Sequence, residues 1–259
     1  MAGIKLCTIK KADQPYFIRP AAVRVYTAEE LAFFLWQNPW LIDGSILNTS
    51  LTRWIAEELD MSDTALTMES AMRHDKTEAE ILRPFYEEVA YLTRAEWKHF
   101  AGTLDRKAQE SRWGLLKRKG DALARNKRLM AAQTCYHDAL DSLPADPTGS
   151  MNAFRAEVWH NLGVLHVKML DGEEGIHAFR KAFSFDQNSD RKKTLMLAMR
   201  LFLPREKYDL SVAELEPTGE ELAAIEAAYD TPVDAGGLPA DPVAEVHRLA
   251  RTYHSETGS

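Results

Sequence analysis

The sequence predicts an all-α protein, and three observations carry that prediction. Four Thr-x-x-Glu stretches, starting at Thr27, Thr77, Thr93 and Thr218, have the form of a capping box. There the threonine oxygen and the glutamate satisfy orphan backbone donors at a helix start. One spacing of small and bulky residues occurs twice. Gly120, Ala132, Tyr136 and Ala139 are separated by 12, 4 and 3 residues, and Gly163, Gly175, Phe179 and Ala182 repeat those intervals. Strand-like alternation is confined to the first 25 residues, at Ile4-Leu6-Thr8 and Val23-Val25, with Pro15 and Pro20 between. Short strands or an extended arm fit there, and proline keeps any strand at an edge.

Each element has its own signal. Thr27 opens the helix AEELAFFLWQN, whose Leu31, Phe34 and Leu35 share a face that Phe33 and Trp36 widen; Pro39 ends it. Such aromatic area reads as core in preference to an exposed partner patch. Ser50 is the expected cap of TRWIAEELDM, with a Trp54, Ile55, Leu59 stripe. Residues 61–76 mix Ser, Asp and Thr with Met68 and Met72 and read as a loop with one turn of helix. The helix after Thr77 holds Ile81, Leu82, Phe85, Val89 and Leu92, and Pro84 is expected to bend it. From Thr93 a long helix is expected, with Gly102 and Gly114 as the first breakers. Residues 1–92 thus form an N-terminal helical module.

Within 156–189, Trp159 and Leu162 fill the space between two helices, Gly163 lets the second approach the first, and Ala182 admits a neighbour. A first unit of the same kind runs over 113–146, with Leu116 in the slot of Trp159 and Pro147 to Arg155 inserted between the units. An insertion at such a junction becomes a loop or a lengthened helix. This order of bulky and small residues over 34 positions resembles the tetratricopeptide repeat, with His166 where that family favours tyrosine and Gln187 where it favours proline. The resemblance implies antiparallel helix pairs over 93–204 that stack into a short superhelix. The apolar helix at 190–203 and the N-terminal helices would cover its two ends. The Thr27–Leu92 block resembles the leading part of uncharacterised bacterial repeat proteins, which brings no function with it. Residues 205–259 read as an acidic segment. It contains the helix after Thr218, a TPVDAGGLPADP linker, a last helix at 242–253 and a disordered SETGS tail.

Composition bounds the function. The 259 residues are 45% hydrophobic and 27% charged, with a net charge of −7, which argues against nucleic acid as partner. Cys7 and Cys135 form neither a disulfide framework nor a metal quartet, and no run reaches the roughly 20 apolar residues of a membrane span. A cytoplasmic protein with no membrane partner is the expectation. The eight histidines include no His-x-x-x-His pair, and there is no glycine-rich phosphate loop or Gly-x-Ser-x-Gly elbow. No enzyme, metal site or cofactor is expected. A catalytic site assembled across helices would show itself as a buried histidine clustered with Asp or Glu.

Charge is uneven. Between Asp105 and Arg128 nine Lys or Arg stand against three acids, and between Asp209 and Ser259 eleven acids stand against Arg248 and Arg251. In the resembling family the first helix of each pair lines the concave face, and some members clamp the terminal carboxylates of acidic chaperone tails. The resemblance places Lys117 at the clamp's lysine and Asn161 at its second asparagine, two residues before Gly163. Arg191 starts its third basic group, and Asp121 stands where the clamp has an asparagine. Arg125, His160, Val164 and Lys168 belong to the same helical faces. The expected function is a non-enzymatic scaffold that holds a peptide or partner protein, an acidic one included, in this groove. The alternatives are a carboxylate-clamp cochaperone and a regulatory module whose acidic C-terminal segment fills the basic groove.

Overall fold

A computed structural model describes residues 10–145 and 148–231. Among them the chain is helical apart from one hairpin, in which β1 (Tyr16–Ile18) pairs antiparallel with β2 (Val23–Val25), Phe17 opposite Arg24. The expected strand at Ile4–Thr8, the residues after Thr231 and the helix at 242–253 lie outside the described residues. The chain divides between Arg191 and Lys192 into two compact units. No helix among the described residues is long and apolar enough to cross a membrane.

In the first unit α1 (Ala28–Gln37) starts at Thr27, whose side chain accepts from the Glu30 amide, while the Glu30 carboxylate accepts from the Tyr26 amide. Leu31, Phe34 and Leu35 are buried and Phe33 is exposed. One 3-10 turn at Pro39–Leu41 follows. The cap of α2 (Thr49–Glu58) is Asn48 and not Ser50. The Asn48 carboxamide oxygen accepts from the amides of Ser50 and Leu51, so Ser50 already lies inside the first turn and is itself capped.

The expected loop at 61–76 is instead a full helix, α3 (Ser62–Arg73). Its polar composition is offset by Ala65 and Met68, buried between α2 and α4 (Glu78–Val89), and by Thr52–Glu69 and Thr64–Glu88 hydrogen bonds. Thr77 caps α4 in a complete box, and Pro84 sits inside that helix, where it removes one backbone donor. Thr93 caps α5 (Arg94–Ala108), also in a complete box. The break before α6 (Arg112–Arg125) falls at 109–111, between the two glycines, because the Ser111 hydroxyl accepts from the Gly114 amide and starts a new helix.

Two helix pairs complete this unit: α6 with α7 (Leu129–Asp141), and α8 (Asn152–Lys168) with α9 (Gly172–Phe185). The insertion after the first pair ends as an added first turn of α8. A Cβ on Gly120 would meet the Tyr136 ring at 2.6 Å, and one on Gly163 would meet the Phe179 ring at 2.6 Å. Each pair therefore closes on a glycine under an aromatic ring. Gly163 faces Phe179 while Val167 faces Gly175, so α8 and α9 run antiparallel. One apolar core extends without interruption from Ala12 in front of the hairpin to Ala178 on α9.

The second unit takes up most of α10 (Ser189–Phe202), followed by α11 (Arg205–Ala213), which no sequence signal announces, and α12 (Gly219–Asp230) behind the Thr218 capping box. Within it Glu226 binds Arg200 at 3.1 Å and Arg205 at 2.8 Å, and the Arg200 guanidinium lies 3.7 Å from the Tyr229 ring centroid.

Candidate functional site

Of the residues singled out on the first helices of the two pairs, Lys117 and Asn161 converge on Asp121. Lys117 precedes it by one helical turn on α6, and its ammonium sits 3.0 Å from the Asp121 carboxylate. The other Asp121 oxygen accepts from the Tyr136 hydroxyl at 2.8 Å and from the Asn161 carboxamide at 3.0 Å. Gly120 makes this possible, because only a residue without a side chain lets Tyr136 lie across α6 with its hydroxyl over the next residue. Glu157, one turn before Asn161 on α8, reaches across to Lys117 as a second carboxylate.

Lys117, with its side chain 15% exposed, thus carries two carboxylates whose own exposure is 34% for Asp121 and 52% for Glu157. Burial alone would push the Lys117 pKa down, yet the hydrogen bonds it donates to Glu157 and Asp121 outweigh it and leave the ammonium more firmly protonated than usual. Burial, then the hydrogen bond to Asp121, pushes the Tyr136 phenol well above its ordinary range, so it stays a donor. The ammonium expected to receive a ligand carboxylate is already satisfied from within the chain. What faces solvent is carboxylate.

The other expected residues fall around this network. His160 lies beside it on α8, its ring 5.3 Å from that of Phe179 and its Nδ1 buried without a hydrogen-bond partner. Burial, then the nearby Arg191 charge, depresses its pKa. Arg191 binds the Asp186 carboxylate at 3.0 Å and donates to the Ala156 carbonyl at 3.2 Å, holding the start of α10 to α8. Val164 is half-buried and Lys168 exposed. Arg125 is not brought to the network. One turn beyond Asp121 on α6, it instead lines a cleft of about 330 Å³ with Trp36, Trp40 and His99.

Sequence reasoning does not single out Glu157 or Tyr136 as site residues. The available signal for Glu157 is its i, i+4 relation to Asn161; in the repeat pattern Tyr136 reads as packing alone. Four of the nine cations in the basic run prove to be paired: Lys107 with Glu78, Lys117 with Asp121 and Glu157, Arg118 with Glu110, and Lys119 with Asp43.

A buried histidine–aspartate pair does occur, at the end of α8. His166 Nδ1 lies 3.0 Å from Asp171, the N-cap of α9, and Nε2 lies 3.4 Å from the Gln133 amide. Both ring nitrogens are thereby used to join α7, α8 and α9, and among the described residues no nucleophile is bonded to the ring. Among the described residues no group of three His, Cys, Asp or Glu is placed to hold a metal ion. Comparison with known proteins finds no family model, no curated protein and no solved structure that matches the chain.

Proposed function

We propose that this protein is a non-enzymatic interaction scaffold of tetratricopeptide-like helix pairs, which holds an extended partner segment against the shared face of α6 and α8. The observation that carries the reading is the Lys117–Asp121–Glu157–Asn161 network. Equivalent glycine–aromatic contacts close each helix pair, and four polar side chains on the two first helices are fixed by one another, partly exposed. Such a prearranged row recognises a peptide at low entropic cost.

Because the solvent-facing groups are the carboxylates of Asp121 and Glu157, the face suits a segment that brings Lys or Arg side chains. This favours a basic partner over the acidic tail of a carboxylate clamp, and equally over the chain's own acidic C-terminal segment. The test is binding of the full chain to matched basic and acidic peptides at two salt concentrations. Basic peptides should bind in a salt-sensitive way, and Glu157→Gln should weaken them by about 2–5-fold, the worth of a half-exposed ion pair of ~0.5–1 kcal/mol. Preference for acidic peptides, lost on Lys117→Ala, would restore the clamp instead.

A further inference from the structure

We propose that the ends of the two hairpins form a self-complementary surface through which two copies of this chain associate. The α6–α7 and α8–α9 turns are the same structure. Arg128 and Asp171 donate to the carbonyls of Leu123 and His166, five residues back, and Lys127 and Leu170 donate to those of Ala124 and Val167. Both turns place their central residue in the left-handed region, Lys127 at φ 58° and Leu170 at φ 61°. That position ordinarily takes glycine or asparagine. The Gln133–His166–Asp171 hydrogen bonds set the two turns next to each other at one end of the hairpins.

Leu170 is the anomaly. Of the non-glycine residues at positive φ among the described residues, it alone has a branched apolar side chain, and that side chain is 82% exposed. A residue that costs backbone strain and exposes apolar area is poorly suited to the isolated fold. On the neighbouring turn Met130 is 68% exposed. Charge then selects the occupant. Lys127 and Arg128 precede Met130, while Glu173 and Glu174 follow Leu170 in the first turn of α9; all four are exposed and make no ion pair among the described residues. The nearby Lys168 is exposed too, and Asp171 is held by His166. A surface with a positive turn, a negative turn and an apolar side chain at each matches its own copy rotated by a two-fold axis. The positive turn of each copy meets the negative turn of the other. An anionic membrane would be repelled by Glu173 and Glu174. The contact is at the small end of stable interfaces, so the dimer is concentration-dependent and weakens with salt.

Sedimentation velocity of the full chain over a range of concentrations tests this. The expected result is a monomer–dimer shift that Leu170→Asn moves to at least tenfold higher concentration. The same substitution leaves the unfolding midpoint unchanged or raises it, because asparagine tolerates the left-handed turn. Lys127→Glu/Arg128→Glu and Glu173→Lys/Glu174→Lys should each be monomeric alone and should dimerise when mixed, since the mixture restores both contacts. A monomer at every concentration overturns the proposal. So does a dimer indifferent to Leu170→Asn, or a mixture that fails to associate. None of these variants touches Lys117, Glu157 or Asn161, so peptide binding on the α6–α8 face can fail or persist separately.

Discussion

Asp121 shows how far a single residue can be read from its neighbours in sequence. As an acid in a basic helix it looks like a flaw in a carboxylate-binding site. In the fold it is the acceptor that Lys117, Tyr136 and Asn161 share. The positions of Lys117 and Asn161 are legible from spacing. The acceptor role is not, because it depends on a tyrosine hydroxyl delivered from α7. His160, beside this network, carries a titration. Its pKa lies below the ordinary 6.5, so as pH falls past that value the unfolded chain takes up a proton before the folded one does. Stability contributed by the neutral ring is complete above about pH 6.5 and is lost as pH falls towards the depressed folded value. The urea midpoint, measured between pH 7.5 and 5, should therefore drop less in His160→Gln than in the parent. Parallel curves for the two proteins would show that the buried ring is not what titrates.

At the scale of elements, the closest contacts are between glycine and an aromatic ring. Alanine at Gly120 or Gly163 must displace Tyr136 or Phe179, and Tyr136 is also anchored by its hydroxyl. Overpacking of this kind costs about 1–3 kcal/mol, against a helix-propensity gain of up to ~1 kcal/mol. Both substitutions should destabilise. Gly102 lies inside α5 with nothing within 4 Å of an added methyl, so Gly102→Ala should stabilise by about 0.5–1 kcal/mol. Denaturant unfolding of the three variants checks this, and a stabilised Gly163→Ala would mean the helices do not meet as described. Gly120 and Gly163 are legible in the sequence, as are the helix starts at Thr77, Thr93 and Thr218, because capping and close approach are local signals; Gly102 and Gly114, expected as breakers, lie inside α5 and α6. Helix α3 is not legible. Ser, Asp and Thr are weak helix formers, and what makes 62–73 helical is burial of Ala65 and Met68 against helices on either side.

At the scale of the first unit, one buried charge joins its N-terminal helices to α5. Lys107, 7% exposed, is in the sequence one cation among the nine between Asp105 and Arg128; it binds both oxygens of Glu78, at 2.7 and 2.8 Å, and donates to the Ile42 carbonyl. Beside it Lys119 binds Asp43 at 2.7 Å. Burial raises the Glu78 pKa despite the Lys107 ammonium, whereas at Asp43 the hydrogen bonds from Lys119 and Ser45 outweigh burial and lower it. Glu78 is therefore the carboxylate left most exposed to loss of its partner. Removing one member of such a pair strands the other, at about 3–5 kcal/mol, while removing both is far milder. Lys107→Met should accordingly destabilise strongly, and Lys107→Met with Glu78→Gln should recover a large part of that loss, the Ile42 carbonyl remaining unpaired. All six tryptophans, from Trp36 to Trp159, precede Arg191, so their fluorescence follows this unit alone during unfolding. Additive effects of the two substitutions would mean that Lys107 and Glu78 are not coupled, and that the joint between the N-terminal helices and α5 rests on apolar packing instead.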